Sequence, residues 1–189
     1  MPISYIDAQN ILLSNNGEDP ISSTVPPQDP QVAKTSLIID RITKQTLEAG
    51  HNFNIQVKTL ISDSYGVIIV PDCVNIIFEP RLRGNVTIRD GVLWDRCNDD
   101  AYTDDIKVLL YLDMSFDSLP EIAKHYVAYE AALEYLSCYG SGMGSGQWAH
   151  CKKKRDDAWM RLLNSEYHKI SDAAKLHLIS LWGGSVGVA

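Results

Sequence analysis

LIIDRITKQTLEAGHNFNIQVKTL, residues 37–60, changes its period half-way along. Before the change, Val32, Leu37, Ile38, Ile39, Ile42 and Leu47 recur at mostly helical spacing. Asp29 can cap that helix and Pro30 suits its first position, where a missing N–H costs nothing, so a helix is predicted from Pro30 to Ala49. Gly50 is a natural stop. Phe53, Ile55 and Val57 then alternate with polar residues, the two-residue period of a half-buried strand. A helix that runs directly into a strand makes the fold mixed.

Downstream the β signal continues. GVIIVPDCVNIIFEP (66–80) holds two short β-branched runs around a Pro-Asp turn. NVTIRDGVLWDR (85–96) is two alternating runs joined at Asp90-Gly91, a two-residue hairpin turn that needs positive φ. The acidic loop NDDAYTDD (98–105) leads to IKVLLYLD (106–113), a last, well-buried strand. Residues 51–113 are therefore expected to form a small β-rich lobe.

Helices flank this lobe. Residues 5–16 place Ala8, Ile11 and Leu12 on one helical face; Gly17 ends the helix and Pro20 prevents its resumption. SLPE (118–121) reads as a capping box in which Ser118 and Glu121 satisfy each other's backbone. The helix it starts runs to about Tyr139 with Ile122, Tyr126, Tyr129, Ala132, Leu133 and Leu136 at 3–4 spacing. A fourth helix, about 147–168, carries Trp148, Ala158, Trp159, Leu162, Leu163 and Tyr167. The stretch 171–189 is too apolar for an idle tail: Leu176, Leu178, Ile179, Leu181 and Trp182 require a surface. The expected class is α+β, mainly helical. Residues 1–50 and 114–170 form a four-helix bundle-like body, 51–113 an inserted small antiparallel β lobe, and 171–189 an extended C-terminal docking arm.

Composition narrows the function. The formal net charge of −7 argues against a dedicated nucleic-acid binder. Cys73, Cys97, Cys138 and Cys151 form no CxxC pair and have no histidine at zinc-ligand spacing, so reduced thiols and no metal are expected. MPISYIDAQN lacks the charged and apolar regions of a signal peptide. The longest apolar stretch, 67–78, is interrupted by Pro71, Asp72 and Asn75 and falls short of the ~20 residues of a membrane helix. A soluble protein made in the cytosol, without membrane contact, follows.

GSGMGSGQWAH (140–150), followed by KKKR, invites a phosphate-loop reading. No glycine precedes Lys-Ser or Lys-Thr, and the preceding element is a helix rather than a strand, so the run reads as a helix–helix connection. KKKRDD (152–157) reads as a solvated helix face, with a phosphate contact or a partner's acidic patch as the sharper alternative. The histidines are scattered, no GxSxG is present, and the adjacent acidic pairs sit mostly in polar loops. No active site and no cofactor are expected.

Three stretches carry a family resemblance: NILLSNNGEDPISS (10–23), LIIDRITKQTLEAG running into HNFNIQ (37–56), and DGVLWDR (90–96) followed by IKVLLYLDMSFDSLPEIAKHYVAYEAALEY (106–135). In that order they resemble the tail tubular protein A family, head-to-tail adaptors of short-tailed (podovirus) bacteriophages. The glycine-rich 140–147 departs from the family pattern. The resemblance implies a structural virion protein, a homo-oligomeric ring typically of twelve subunits. It would join the capsid portal protein to a tail nozzle protein similar to tail tubular protein B. Double-stranded DNA would pass through its channel without sequence-specific binding. It implies docking into the portal by 171–189, through Leu176, Leu178, Ile179, Leu181 and Trp182. Arg89, Asp90, Gly91, Val92 and Trp94 of the hairpin are candidates for subunit or nozzle contact. A negative balance suits a DNA conduit, because acidic walls repel phosphate. The rival readings are a tail-associated cell-wall or polysaccharide hydrolase and a small regulatory module that binds through 170–189.

Overall fold

The computed structural model describes residues 2–22, 29–79, 82, 84–140 and 145–167. Four helices lie in one compact unit, built from the chain up to Ala49 and again from Met114: α1 (Tyr5–Asn15), α2 (Pro30–Glu48), α3 (Glu121–Tyr139) and α4 (Ser145–Tyr167). Six strands lie in the other, Gly50–Asp113: β1 (Ile55–Leu60), β2 (Cys73–Phe78), β3 (Val86–Arg89), β4 (Val92–Asp95), β5 (Asp100–Ala101) and β6 (Ile106–Leu112). The fold is α+β.

In the helical unit α3 is the hub, packing against α1, α2 and α4. Its buried residues explain this. Ala123, Ala128, Ala131 and Ala132 let neighbouring backbones approach closely, while Val127, Leu133 and Leu136 fill the space between them. The buried face of α2 is not the one suggested by its apolar residues alone. Leu37 is 69% exposed, and Thr35, Thr43 and Thr46 are buried beside Ile38, Ile39, Ile42 and Leu47. Two of these threonines tolerate burial because their hydroxyls donate to carbonyls one turn back, Thr35 to Gln31 and Thr46 to Ile42, both at 2.8 Å.

The predicted capping box at 118–121 does not form. Pro120 disfavours helical geometry in the residue before it, so Leu119 is extended at ψ 150°. Ser118 instead closes a 3-10 turn at Phe116–Ser118, and α3 starts at Glu121 with no side-chain cap. The Glu121 carboxylate accepts the Ile3 N–H at 2.9 Å, tying the N-terminus to the start of α3. A capping box does exist at α1, where the Ser4 hydroxyl accepts from the Asp7 N–H and Asp7 accepts from the Ser4 N–H.

The β unit holds two three-stranded antiparallel sheets, ordered β1-β6-β2 and β3-β4-β5. The strand expected from residue 51 begins at Ile55, because His51–Asn54 close a turn. In that turn the Asn54 side chain accepts the His51 N–H at 2.8 Å, and the His51 ring stacks on Phe53. Of the two runs around Pro71-Asp72 only the second makes a strand; the first gives a single bridge, Ile69 to Val92. β6 is the middle strand of the first sheet. With Leu60, Ile68, Val86 and Leu93, its Ile106, Val108 and Leu110 form one buried cluster.

Candidate assembly surfaces

The Asp90-Gly91 hairpin forms as the sequence predicts. Asp90 (φ 50°) and Gly91 (φ 76°) both take positive φ, the turn that matches strand twist. The register sets which residues face out. Ile88 pairs with Leu93 and Val86 with Asp95, and buried Val86 and Leu93 point this face to the core. Thr87, Arg89, Val92 and Trp94 therefore share the other face.

On that face Arg89 and Trp94 converge on Asp99, which the sequence assigned only to an acidic loop. Asp99 Oδ1 accepts the Trp94 indole N–H at 3.2 Å and an Arg89 guanidinium N–H at 3.1 Å. The guanidinium lies over the Trp94 ring, 4.9 Å from its centroid. The Trp94 hydrogen bond, and then the Arg89 hydrogen bond and charge, hold the Asp99 carboxyl below its ordinary range. Asp99 reaches this place by adopting φ 51°, a conformation that Asp tolerates better than most residues. The result is a preorganised platform of one cation, one anion and one indole. Its acid sensitivity follows from the sign of the shift. The contact is fully present above the pKa of an ordinary Asp and is lost only as pH falls through the lower, folded-state value. With Trp148, Trp159 and Trp182 changed to Phe, Trp94 emission is expected to stay constant down to pH ~4 and to titrate below that. A midpoint at or above the ordinary Asp value would contradict the platform.

The same unit holds a loop that the sequence analysis did not single out. One Asp63 carboxylate oxygen accepts the N–H groups of Tyr65 and Val67, both at 2.9 Å, and the Asp63 N–H donates to the Val67 carbonyl. This tight turn presents Tyr65 at 89% exposure, with Ile61 and Ile69 also exposed. The available signal was Asp63 three residues before Gly66, which takes φ 75°.

In the helical unit, α3 and α4 enclose a pocket of about 180 Å³. Ile122, His125 and Tyr129 line it from α3, and Lys154, Asp157 and Arg161 from α4. Arg155 fixes α4 to α3 by donating to Glu130 at 2.6 Å while also holding Asp156, and Tyr126 packs on Trp159 at 4.9 Å. Burial raises the Tyr129 pKa, so its hydroxyl stays protonated. Lys152, Lys153 and Lys154 are exposed. Among the described residues no three His, Cys, Asp or Glu side chains gather as a metal site, and no helix is long and apolar enough to cross a membrane. Leu176, Leu178, Ile179, Leu181 and Trp182 lie outside the described residues.

Two comparisons bear on identity. A protein of Klebsiella phage KP34, "Tail tubular protein A", is 27% identical over 146 residues, covering 76% of this chain and 78% of the relative. The family described as "Tube: Tail tubular protein" matches residues 6–172, which takes in every described helix and strand except the first residue of α1. The chain belongs to the tail tubular protein family.

Proposed function

We propose that this protein is a structural component of a phage tail that works by assembly rather than catalysis. It forms a homo-oligomeric ring, of twelve subunits by family analogy, that joins the capsid portal to the tail nozzle and continues the channel for double-stranded DNA. The observation that carries this reading is the family match over 6–172, supported by a relative whose name specifies a tail tubular protein. The −7 net charge suits a conduit that phosphate must not adhere to. The exposed Tyr65 turn and the Arg89–Trp94–Asp99 platform supply rigid aromatic groups of the type that anchor interfaces. In this reading the helical body packs side by side around the ring. Residues 171–189 dock on the portal through Leu176, Leu178, Ile179, Leu181 and Trp182. The hairpin residues Arg89, Asp90, Gly91, Val92 and Trp94 meet a neighbouring subunit or the nozzle.

The test is sedimentation of the full chain with and without the portal protein of the same genome, alongside a chain lacking 171–189. A ring-sized species with portal, absent for the truncated chain, is the expected result. A chain that stays monomeric with portal present would overturn the adaptor reading. A truncated chain that assembles normally would overturn the docking role of the C-terminal stretch.

A further inference from the structure

Charge on this chain is committed unevenly. In the basic run of α4, Arg155 is taken up by Glu130 and Asp156. Lys152, Lys153, Lys154 and Arg161 are exposed and make no ion pair among the described residues, although Asp157 lies in the same pocket as Lys154 and Arg161. Lys154 and Arg161 are two turns apart on one helix face, at the pocket whose α3 wall includes Ile122. With Lys154 and Arg161 set against the single carboxylate of Asp157, the concave site keeps a net positive charge beside apolar Ile122 and Ala158, which suits an acidic occupant.

The chain also has one acidic pair free to fill such a site. Its adjacent acidic pairs are Glu18-Asp19, Asp99-Asp100, Asp104-Asp105 and Asp156-Asp157. Glu18 is bound by Tyr135 and Gln31, Asp99 by Arg89 and Trp94, and Asp156 by Arg155. Only in Asp104-Asp105 do both carboxylates lack a partner among the described residues, and both are exposed. The loop that carries them is anchored on both sides. The Tyr102 N–H donates to the Leu93 carbonyl at 3.0 Å, and Ile106 is buried at the start of β6.

We propose that the α3–α4 pocket of one subunit receives Asp104 and Asp105 of a second copy of this chain, with Lys154 and Arg161 as the receiving cations. The inference rests on the ring reading above and deepens it. Donor and receiver are different surfaces, so one copy can pass the contact on to the next, and such a head-to-tail series closes into a ring when its rotation closes. Charge-paired contacts of this type also set orientation and the rate of encounter, so assembly is expected to slow as salt rises.

The experiment compares full-length wild type, K154E/R161E, D104K/D105K and the four-fold charge swap, each with portal, by sedimentation over a concentration series. Circular dichroism reports the fold of each. Each double reversal is expected to raise the half-assembly concentration about tenfold or more, and the swap to restore it to within about threefold of wild type. Folded reversal variants that assemble like wild type, or a swap no better than either parent, would overturn the pairing while leaving the ring intact. Should a reversal fail to fold, D104C protein mixed with K154C protein, each with the exposed Cys97 and Cys138 changed to Ser, decides the matter. A disulfide linking the two proteins within assembled rings supports the contact, and its absence overturns it. Wild type that never assembles would instead remove the ring reading on which the pairing depends.

Discussion

Alanine at Gly50 is expected to destabilise the fold by about 2–4 kcal/mol, the sum of a left-handed backbone cost and an overpacking cost. Gly50 sits at φ 75°, where an L side chain is strained in any surroundings. A Cβ there would also lie 2.6 Å from two atoms of the Tyr111 ring. Tyr111 belongs to β6 and is paired in register with Ile55 on one side and Asn75 on the other, so relief must come from the ring turning aside on a fixed backbone. Gly17 provides the control. It has nearly the same φ, 73°, but a methyl group added there would meet nothing within 4 Å, so Gly17→Ala should cost only about 1–2 kcal/mol. Urea unfolding of both variants and of Gly50→Ala/Tyr111→Ala separates the two costs. Equal losses at Gly50 and Gly17 would show that the Tyr111 ring yields freely.

Glu18→Ala is expected to cost about 2–4 kcal/mol, because it strips a buried hydroxyl of its charged acceptor. Tyr135 is 1% exposed, and its OH lies 3.0 and 3.1 Å from the two Glu18 oxygens. Glu18 also accepts from Gln31 Nε2 at 2.9 Å and from the Asn16 side-chain amide, so one carboxylate joins the end of α1, the start of α2 and the last turns of α3. Tyr135→Phe removes the stranded hydroxyl. The double variant should therefore be less destabilised than the two single losses added together. Additive losses would mean that the pair is not coupled. Burial, and then the Glu18 hydrogen bond and charge, push the Tyr135 pKa up, so the folded state keeps this proton where the unfolded chain ionises. Stability should accordingly fall as pH rises above ~10, and less steeply in Tyr135→Phe.

Elements with a strong local cause were legible from sequence. Asp29-Pro30 starts α2 within one residue of expectation, and Asp90-Gly91 turns between β3 and β4, because cap and turn chemistry act over a few residues. Ser118 to Glu121 failed for a local reason that the pattern concealed: Pro120 inside a capping motif dictates the geometry of Leu119. Leu37 was misassigned because helix periodicity counts apolar residues and cannot see a threonine that satisfies itself against its own helix. The candidate surfaces were less legible. Arg89 and Trp94 were named, but their meeting point at Asp99 depends on a positive-φ residue after a loop. The α3–α4 pocket depends on how two helices pack, and no spacing within either helix encodes that.

The position of α3 in the chain has a consequence during synthesis. Its partners α1 and α2 leave the ribosome before Gly50–Asp113, and α3 leaves after it. At ~5–20 residues per second, the stretch from the end of α2 at Glu48 to the end of α3 at Tyr139 keeps the two N-terminal helices waiting roughly 5–18 s for the helix that covers them. Leu12, Leu13, Ile39 and Leu47, all fully buried in the finished protein, are open to the host's chaperones and to other nascent chains throughout that interval. The six strands, all within Gly50–Asp113, can pair during the same wait. The order of emergence thus favours a folded β unit on a nascent chain whose helical half is still open.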